Sequence, residues 1–121
     1  MIGESPYRVV VVEDDLDSLE LLVLALQAAG FAAHGAEDIA GARRIVEDVR
    51  PHALVADYTL PDGTGADLLA SCSHARPQVC ILLTGFDAVD VGPTGFDFVL
   101  TKPVRTELLI ETLRKNVSRS S

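Results

Sequence analysis

Five polar residues of this sequence stand at the ends of short apolar runs, and their chemical types suit a site for metal and phosphate. They are Glu13, Asp14, Asp57, Thr84 and Lys102. Clustered carboxylates are ligands for a hard cation, and Mg²⁺ fits because it keeps several waters and takes only one or two carboxylates besides phosphate oxygens. A carboxylate can also attack phosphorus and form an acyl phosphate, so Asp57 is a candidate nucleophile.

Lys102 and Thr84 are candidates for the partners that phosphoryl transfer needs, because this chemistry depends on positioning and charge stabilisation. The lysine can pair with a phosphoryl group as a point charge, and the threonine hydroxyl can donate to a phosphoryl oxygen. Gly85 leaves room for a donor or for water. Only two lysines occur in the chain, so a lysine at a strand end is less expected by chance.

Each of these residues has a simpler explanation when it is taken alone. Asp57 could be a solvated acid, Thr84 an ordinary strand-end threonine, and Lys102 a surface lysine before a proline. Glu13 and Asp14 could be helix caps. A shared site becomes the better interpretation only if the fold brings all of them to one place.

Five apolar runs predict the strands that would do so, and four stretches with helical spacing predict the helices between them. The predicted strands are Arg8–Val12, Phe31–His34, Ala53–Asp57, Val79–Leu83 and Phe98–Leu100. The predicted helices run from a cap at Asp15 or Asp17 to Ala29, from Glu37 to Val49, from Thr64 to about His74, and from Val104 to about Val117.

This alternation predicts an α/β fold, a flavodoxin-like doubly wound sheet of five parallel strands in the order 2-1-3-4-5. The carboxyl ends of parallel strands meet at one edge, where ligands bind in such folds. Glu13, Asp14, Asp57, Thr84 and Lys102 are therefore expected to lie together.

The composition limits the class of protein. The chain has 121 residues, of which 48% are hydrophobic, and this suffices for the core of one domain. A net charge of −8 argues against a surface that binds nucleic acid or anionic lipid. Two cysteines without metal spacing and no visible signal peptide favour a reducing, cytoplasmic location. No apolar stretch is long enough to cross a membrane.

The motifs together resemble the receiver (phosphoacceptor) domain of bacterial two-component response regulators and hybrid kinases. The resemblance rests on Val9–Asp15, Asp57–Gly65, Leu82–Gly85 and Thr101–Pro103, which occur in the family's order and span nearly the whole chain. It implies a single receiver domain over residues 1–121, with its core at about 7–117 and a polar tail at 118–121.

The resemblance also implies residue roles. Asp57 would accept a phosphoryl group from the phosphohistidine of a histidine kinase or phosphotransfer protein, without the chain being an enzyme acting on a separate substrate. Mg²⁺ would be held by Asp14, Asp57 and the backbone carbonyl of Thr59, with Glu13 acting through water. Thr84 and Lys102 would read the phosphorylated state and move a surface that meets an effector, a fused output domain or a second copy of the chain.

Two departures from the family pattern affect these expectations. The position three residues before the lysine is often aromatic in the family, whereas here it is Val99. The segment between Gly85 and Asp97 is short and contains Gly92, Pro93 and Gly95, so the family's fourth helix is expected to be shortened, distorted or absent. A mobile loop with Phe86 and Val89 would then replace it.

Two other classes of function stay open beside the phosphorylated receiver: an interaction module, and a small enzyme or flavin carrier on the same fold. A receiver-shaped interaction module that works without phosphorylation would be favoured by an incomplete acidic site, and this site is complete. A flavin carrier would need a phosphate loop after the first strand, where Glu13, Asp14 and Asp15 would repel phosphate. A phosphatase with a nucleophilic aspartate usually has Asp-x-Asp, but Tyr58 and Thr59 follow Asp57.

Overall fold

Five parallel strands form the central sheet, and the computed structural model describes residues 6–72, 74–85 and 94–117. The strands are β1 (Arg8–Val12), β2 (Ala32–Ala36), β3 (Ala53–Asp57), β4 (Val79–Thr84) and β5 (Phe98–Thr101). They are ordered β2-β1-β3-β4-β5, and every neighbouring pair is parallel. The predicted flavodoxin-like sheet is therefore confirmed.

Four helices of the described residues cover the sheet. They are α1 (Leu16–Ala28), α2 (Ile39–Val49), α3 (Gly65–Ser71) and the last helix (Thr106–Val117). Asp15 is the N-cap of α1, and its side chain accepts a hydrogen bond from the Ser18 N–H at 3.1 Å. The expectation of a shortened, distorted or absent fourth helix, replaced by a loop with Phe86 and Val89, falls mainly on residues 86–93. These lie outside the described residues, as do the tail 118–121 and the first five residues.

The element ends differ from the predictions by a few residues. β2 extends to Ala36 because its pairing with β1 continues from Arg8↔Ala32 to Val12↔Ala36. The third helix ends at Ser71 instead of His74, because the Cys72 N–H closes the last turn on Leu69 O at 3.0 Å. The last helix begins at Thr106, two residues later than expected.

Two hydrophobic cores lie on opposite faces of the sheet, because successive strand residues point to opposite sides. Val9 and Val11 belong to the core under α1 and the last helix. Val10 and Val12 belong to the core under α2 and α3. All four valines are completely buried, which explains why β1 reads as a continuous apolar run.

The outward face of α1 carries exposed leucines. Leu21 and Leu24 are 63% and 55% exposed, and Ala28 is also exposed, while Leu22 and Leu26 are buried in the core. Within the described residues, the structure contains no helix with the length and apolar character that a bilayer crossing requires.

A short antiparallel hairpin follows β3. Its strands are Thr59–Leu60 and Gly63–Thr64, with the register Thr59↔Thr64 and Leu60↔Gly63. From the sequence, Pro61, Asp62 and Gly63 indicate a turn or loop after β3, and two-residue strands leave no periodicity to detect. The hairpin joins the candidate nucleophile to α3.

Candidate functional site

Three carboxylates meet at the carboxyl edge of the sheet. One oxygen each of Glu13, Asp14 and Asp57 lie within 4.8 Å of one another. Glu13 and Asp57 are only 2% and 7% exposed, whereas Asp14 is exposed to solvent. The cluster is therefore anchored in the protein on one side and open to water on the other.

The pairing of β1 with β3 brings these acids together. Val12 is paired with Ala56, so the residues that follow, Glu13 and Asp57, emerge side by side. The Glu13 backbone is held by its N–H to Ala36 O at 3.0 Å, and its side chain accepts from the Asp15 N–H at 3.1 Å. The rigid strand ends thus fix two carboxylates that would otherwise repel each other.

Lys102 lies between the two buried acids. Its Nζ is 2.9 Å from Glu13 Oε1 and 2.9 Å from both carboxylate oxygens of Asp57. The Lys102 N–H also donates to Thr84 O at 2.8 Å, which continues the β4–β5 pairing past the end of β5. Its side chain stays 36% exposed, so the ammonium can be approached from solvent.

The groups around Asp57 shift the pKa of its carboxyl. Burial and the negative charge of Glu13 raise the pKa of Asp57 to about 6, and the Lys102 ammonium limits that rise. Asp57 is thus mainly ionised at neutral pH, as a nucleophile or a metal ligand must be.

The pKa values of the other two groups shift in ways that keep both charged. Burial alone would raise the pKa of Glu13, but the hydrogen bonds from Lys102 and from the Asp15 N–H have the larger combined effect. The pKa of Glu13 is therefore lowered. Burial alone would lower the pKa of Lys102, but the carboxylates of Asp57 and Glu13 have the larger combined effect. The pKa of Lys102 is therefore raised. The site therefore holds one ammonium between two carboxylates.

The two predicted threonines lie around this centre. Thr84 is 1% exposed at the end of β4, beside the backbone of Lys102. Thr59 is exposed on the hairpin, two residues after Asp57. All six predicted site residues therefore lie at the same edge of the sheet, and their roles remain predictions.

Sequence reasoning missed the importance of Gly65. A Cβ added there would lie 2.6 Å from the backbone oxygen of Asp57 and 2.9 Å from Leu82 Cδ1. The Gly65 N–H also donates to Tyr58 O at 2.8 Å. Only a residue without a side chain allows α3 to begin this close to the candidate nucleophile.

The site opens into a cleft of about 500 Å³ between α1 and the segment that follows β5. Glu13 and Lys102 lie at its polar end, and Leu21 and Val104 contribute apolar walls. The cleft therefore leads from solvent to the Glu13 carboxylate and the Lys102 ammonium.

The donor set fits a divalent cation. One solvent-exposed carboxylate, Asp14, beside two buried ones, Glu13 and Asp57, matches the few oxygen ligands and retained waters that Mg²⁺ prefers. Among the described residues, this is the group of three acids close enough to share an ion.

Comparison with protein families finds a match to the response regulator receiver domain over residues 9–114. Among curated proteins, the chain is 32% identical over 95% of its length to the photosynthetic apparatus regulatory protein RegA of Rhodovulum sulfidophilum, covering 65% of that protein. It is 36% identical over 95% of its length to the probable transcriptional regulatory protein TcrX of Mycobacterium tuberculosis, covering 51% of it. The chain thus spans about half to two thirds of the length of these relatives.

Solved structures show the same fold. A CheY-like response regulator receiver domain protein from Methanospirillum hungatei superposes with a TM-score of 0.86 at 24% identity, covering 95% of this chain and 96% of that one. The CheY-like receiver domain from Methylobacillus flagellatus gives a TM-score of 0.81 at 25% identity, covering 92% and 98%.

Proposed function

The chain belongs to the response regulator receiver domain family of two-component systems, and from this we propose that Asp57 is its phosphoacceptor. The phosphoryl group would come from a histidine kinase or a histidine phosphotransfer protein. The domain would assist its own phosphorylation and dephosphorylation without acting on a separate substrate.

One observation carries the proposal. Lys102 Nζ stands 2.9 Å from Asp57 and from Glu13, in a site where a third carboxylate, Asp14, is open to solvent. A purely structural ion pair would need neither the exposed acid nor the adjoining cleft. A nucleophile, a cation site and a phosphate-binding ammonium account for all three features together.

The transfer step follows from this arrangement. A carboxylate oxygen of Asp57 attacks the phosphorus of the donor, the P–N bond to the histidine breaks, and its electron pair leaves with the imidazole. The product at Asp57 is a mixed carboxylic–phosphoric anhydride. Mg²⁺, held by Asp14, Asp57 and the Thr59 carbonyl with Glu13 acting through water, would neutralise the negative charge that the donor and the carboxylate share.

Lys102 and Thr84 would then report the modified state. Once Asp57 carries a phosphoryl group, the ammonium can bind a phosphoryl oxygen in place of the carboxylate, and the Thr84 hydroxyl can donate to another. Because Thr84 ends β4 and Lys102 directly follows β5, their movement would alter the surface formed by these strands and the last helix. Val99 stands on β5 where relatives often have an aromatic switch, so this chain would transmit the change without it.

We also propose where the domain acts and which partners it contacts. The domain would act in the cytoplasm as a single receiver unit over residues 1–121, and its surface would meet an effector, a fused output domain or a second copy. We propose no direct contact with nucleic acid or membrane, since the net charge is −8.

The proposal is tested by incubating the protein with acetyl phosphate and Mg²⁺ and measuring its intact mass. The wild type should gain one phosphoryl group, whereas Asp57→Asn and a sample with excess chelator should gain none. Equal gain by Asp57→Asn would show that another residue is the acceptor. No gain by the wild type, with Mg²⁺ shown to bind, would favour an interaction module that works without phosphorylation.

A further inference from the structure

Asp62 lies at the tip of the hairpin that follows the candidate phosphoacceptor, yet its side chain bonds to a different helix. Its Oδ1 accepts from the Ile39 N–H at 2.9 Å, and its Oδ2 accepts from the Ala40 N–H at 3.2 Å. These are the first two amides of α2, 23 and 22 residues away in the chain. The hydrogen bonds to these amides lower the pKa of the Asp62 carboxyl.

The first amides of a helix have no partner within the helix. At α2 they are shared between two acids, because the N-cap Asp38 accepts from the third amide, Gly41 N–H, at 2.8 Å. Asp38 would suffice as an ordinary cap. The contribution of Asp62 is different, since it joins the helix to the hairpin.

The hairpin is packed against α2 as well as hydrogen-bonded to it. Leu60 is 5% exposed and lies in the core that Ile39 joins. Gly63 approaches α2 so closely that an added Cβ would lie 2.8 Å from Ile39 Cδ1. Asp62 therefore fixes the hairpin tip against a rigid element.

The other end of the hairpin is fixed to β4, the strand next to the one that ends in Asp57. The Tyr58 N–H donates to Leu83 O at 2.8 Å, and the Gly65 N–H donates to Tyr58 O at 2.8 Å. Thr59 lies between these two anchors, on the first hairpin strand. Its backbone carbonyl can act as a cation ligand only if the hairpin is held in one position.

We propose that Asp62 is a positioning residue: by holding the hairpin tip on the N-terminus of α2, it sets the affinity of the Asp14–Asp57–Thr59 site for a divalent cation. This inference rests on the proposed function, because it takes the Thr59 carbonyl as a cation ligand. Because coupling between two sites is reciprocal, cation binding should in turn stabilise the contact between the hairpin and α2.

The test is titration of the whole protein with Mg²⁺ by calorimetry, without a phosphoryl donor and at about 150 mM ionic strength to screen remote charges. Asp62→Ala should weaken Mg²⁺ binding about tenfold, at the lower end of the range seen when an outer partner of a metal ligand is lost. Asp62→Asn, which keeps one acceptor oxygen, should lose less than Asp62→Ala.

Asp38→Ala is the matched control. It removes one negative charge and one cap from the same helix end, and it should reduce thermal stability to a similar degree, but it should leave Mg²⁺ affinity within about twofold because its side chain does not bond to the hairpin. Equal weakening by Asp38→Ala and Asp62→Ala would reduce Asp62 to a helix cap. An equal loss of Mg²⁺ affinity in Asp62→Asn and Asp62→Ala would show that the lost charge alone weakens binding. Both results overturn the proposal.

A second measurement follows the coupling in the opposite direction. Amide hydrogen exchange of Ile39 and Ala40 should slow when Mg²⁺ binds to the wild type, and this response should be absent in Asp62→Ala. Unchanged exchange in the wild type would overturn the coupling. A wild type that does not bind Mg²⁺ at all would instead show that the proposed cation site itself is wrong.

Discussion

The Lys102 ammonium lies 2.9 Å from the carboxylate of Asp57, although the two residues are 45 positions apart in the chain. The same ammonium neutralises Glu13, so one cation offsets two buried acids. The arrangement places the proposed phosphate-binding ammonium beside the carboxylate that would carry the phosphate.

Replacing Lys102 by alanine should separate phosphorylation from its transmission. The variant should still accept a phosphoryl group, but phosphorylation should no longer change amide exchange in β5 and the last helix. Leaving Glu13 and Asp57 without their cation should also cost roughly 1–3 kcal/mol in the free energy of unfolding.

Lys115→Ala is the control for that variant. Lys115, the other lysine of the chain, forms an exposed ion pair with Glu111, so its loss should change the free energy of unfolding by less than about 0.5 kcal/mol. If phosphorylation changes amide exchange in Lys102→Ala as it does in the wild type, the role assigned to Lys102 is wrong.

Asp14→Ala should abolish Mg²⁺-dependent phosphorylation at ordinary Mg²⁺ concentrations and leave the fold intact, because Asp14 is exposed and lies outside both cores. Circular dichroism and phosphoryl gain by mass measure the two effects. Asp17→Ala removes the same charge from the exposed first turn of α1, outside the acidic cluster, and should be phosphorylated normally. Full phosphorylation of Asp14→Ala would show that the ligands are wrongly assigned.

The pKa of Asp57 predicts a pH dependence of cation binding. A proton and a cation compete for this carboxylate, and the proton binds with a pKa of about 6 in the unliganded protein. Mg²⁺ affinity should therefore be nearly constant above pH 7 and fall up to about tenfold for each unit below pH 6. Calorimetric titration across pH 5–8 checks this, and an affinity independent of pH would contradict it.

The same shift fixes the sign of one contribution to stability. Because the pKa of Asp57 is raised above the ordinary value of 3.8, the native protein binds more protons than the unfolded chain between about pH 4 and pH 6. This group therefore lowers the free energy of unfolding as pH rises through that interval, and saturating Mg²⁺ should offset the loss.

Gly65→Ala should destabilise the protein and disturb the site, because the new Cβ would lie 2.6 Å from the Asp57 backbone oxygen. Forcing an atom into such a space costs roughly 1–3 kcal/mol, measurable by urea unfolding. Gly85→Ala is the matched variant, since a Cβ there meets nothing within 4 Å in the described part of the chain. Equal stability of the two variants would contradict this account of Gly65.

The sheet and the grouping of the site residues could be predicted because both follow from local patterns. The runs around Val10, Leu54 and Leu82 are apolar on both faces, which is typical of central parallel strands. Once the strands are parallel and ordered, Glu13, Asp57 and Lys102 must end at the same edge.

The contacts that refine the site could not be predicted, because they depend on residues distant in the chain. Asp62 reads as a turn residue, and nothing in its neighbourhood indicates that it bonds to the start of α2. The close approach of Gly65 to Asp57 likewise appears only when α3 is docked. The capping box of Thr64 and Asp67, by contrast, is a local pattern that sequence analysis could have found.

The central claim is that the phosphoryl group is carried by the side-chain carboxylate of Asp57. The most direct measurement is to phosphorylate the protein with acetyl phosphate and Mg²⁺, reduce the acyl phosphate with borohydride, digest the chain and sequence the peptides by mass spectrometry. Reduction converts a phosphorylated aspartate to homoserine, so homoserine should appear at position 57 and at no other acid. Homoserine at position 14, or none at position 57 in a protein that gained the phosphoryl mass, would contradict the account.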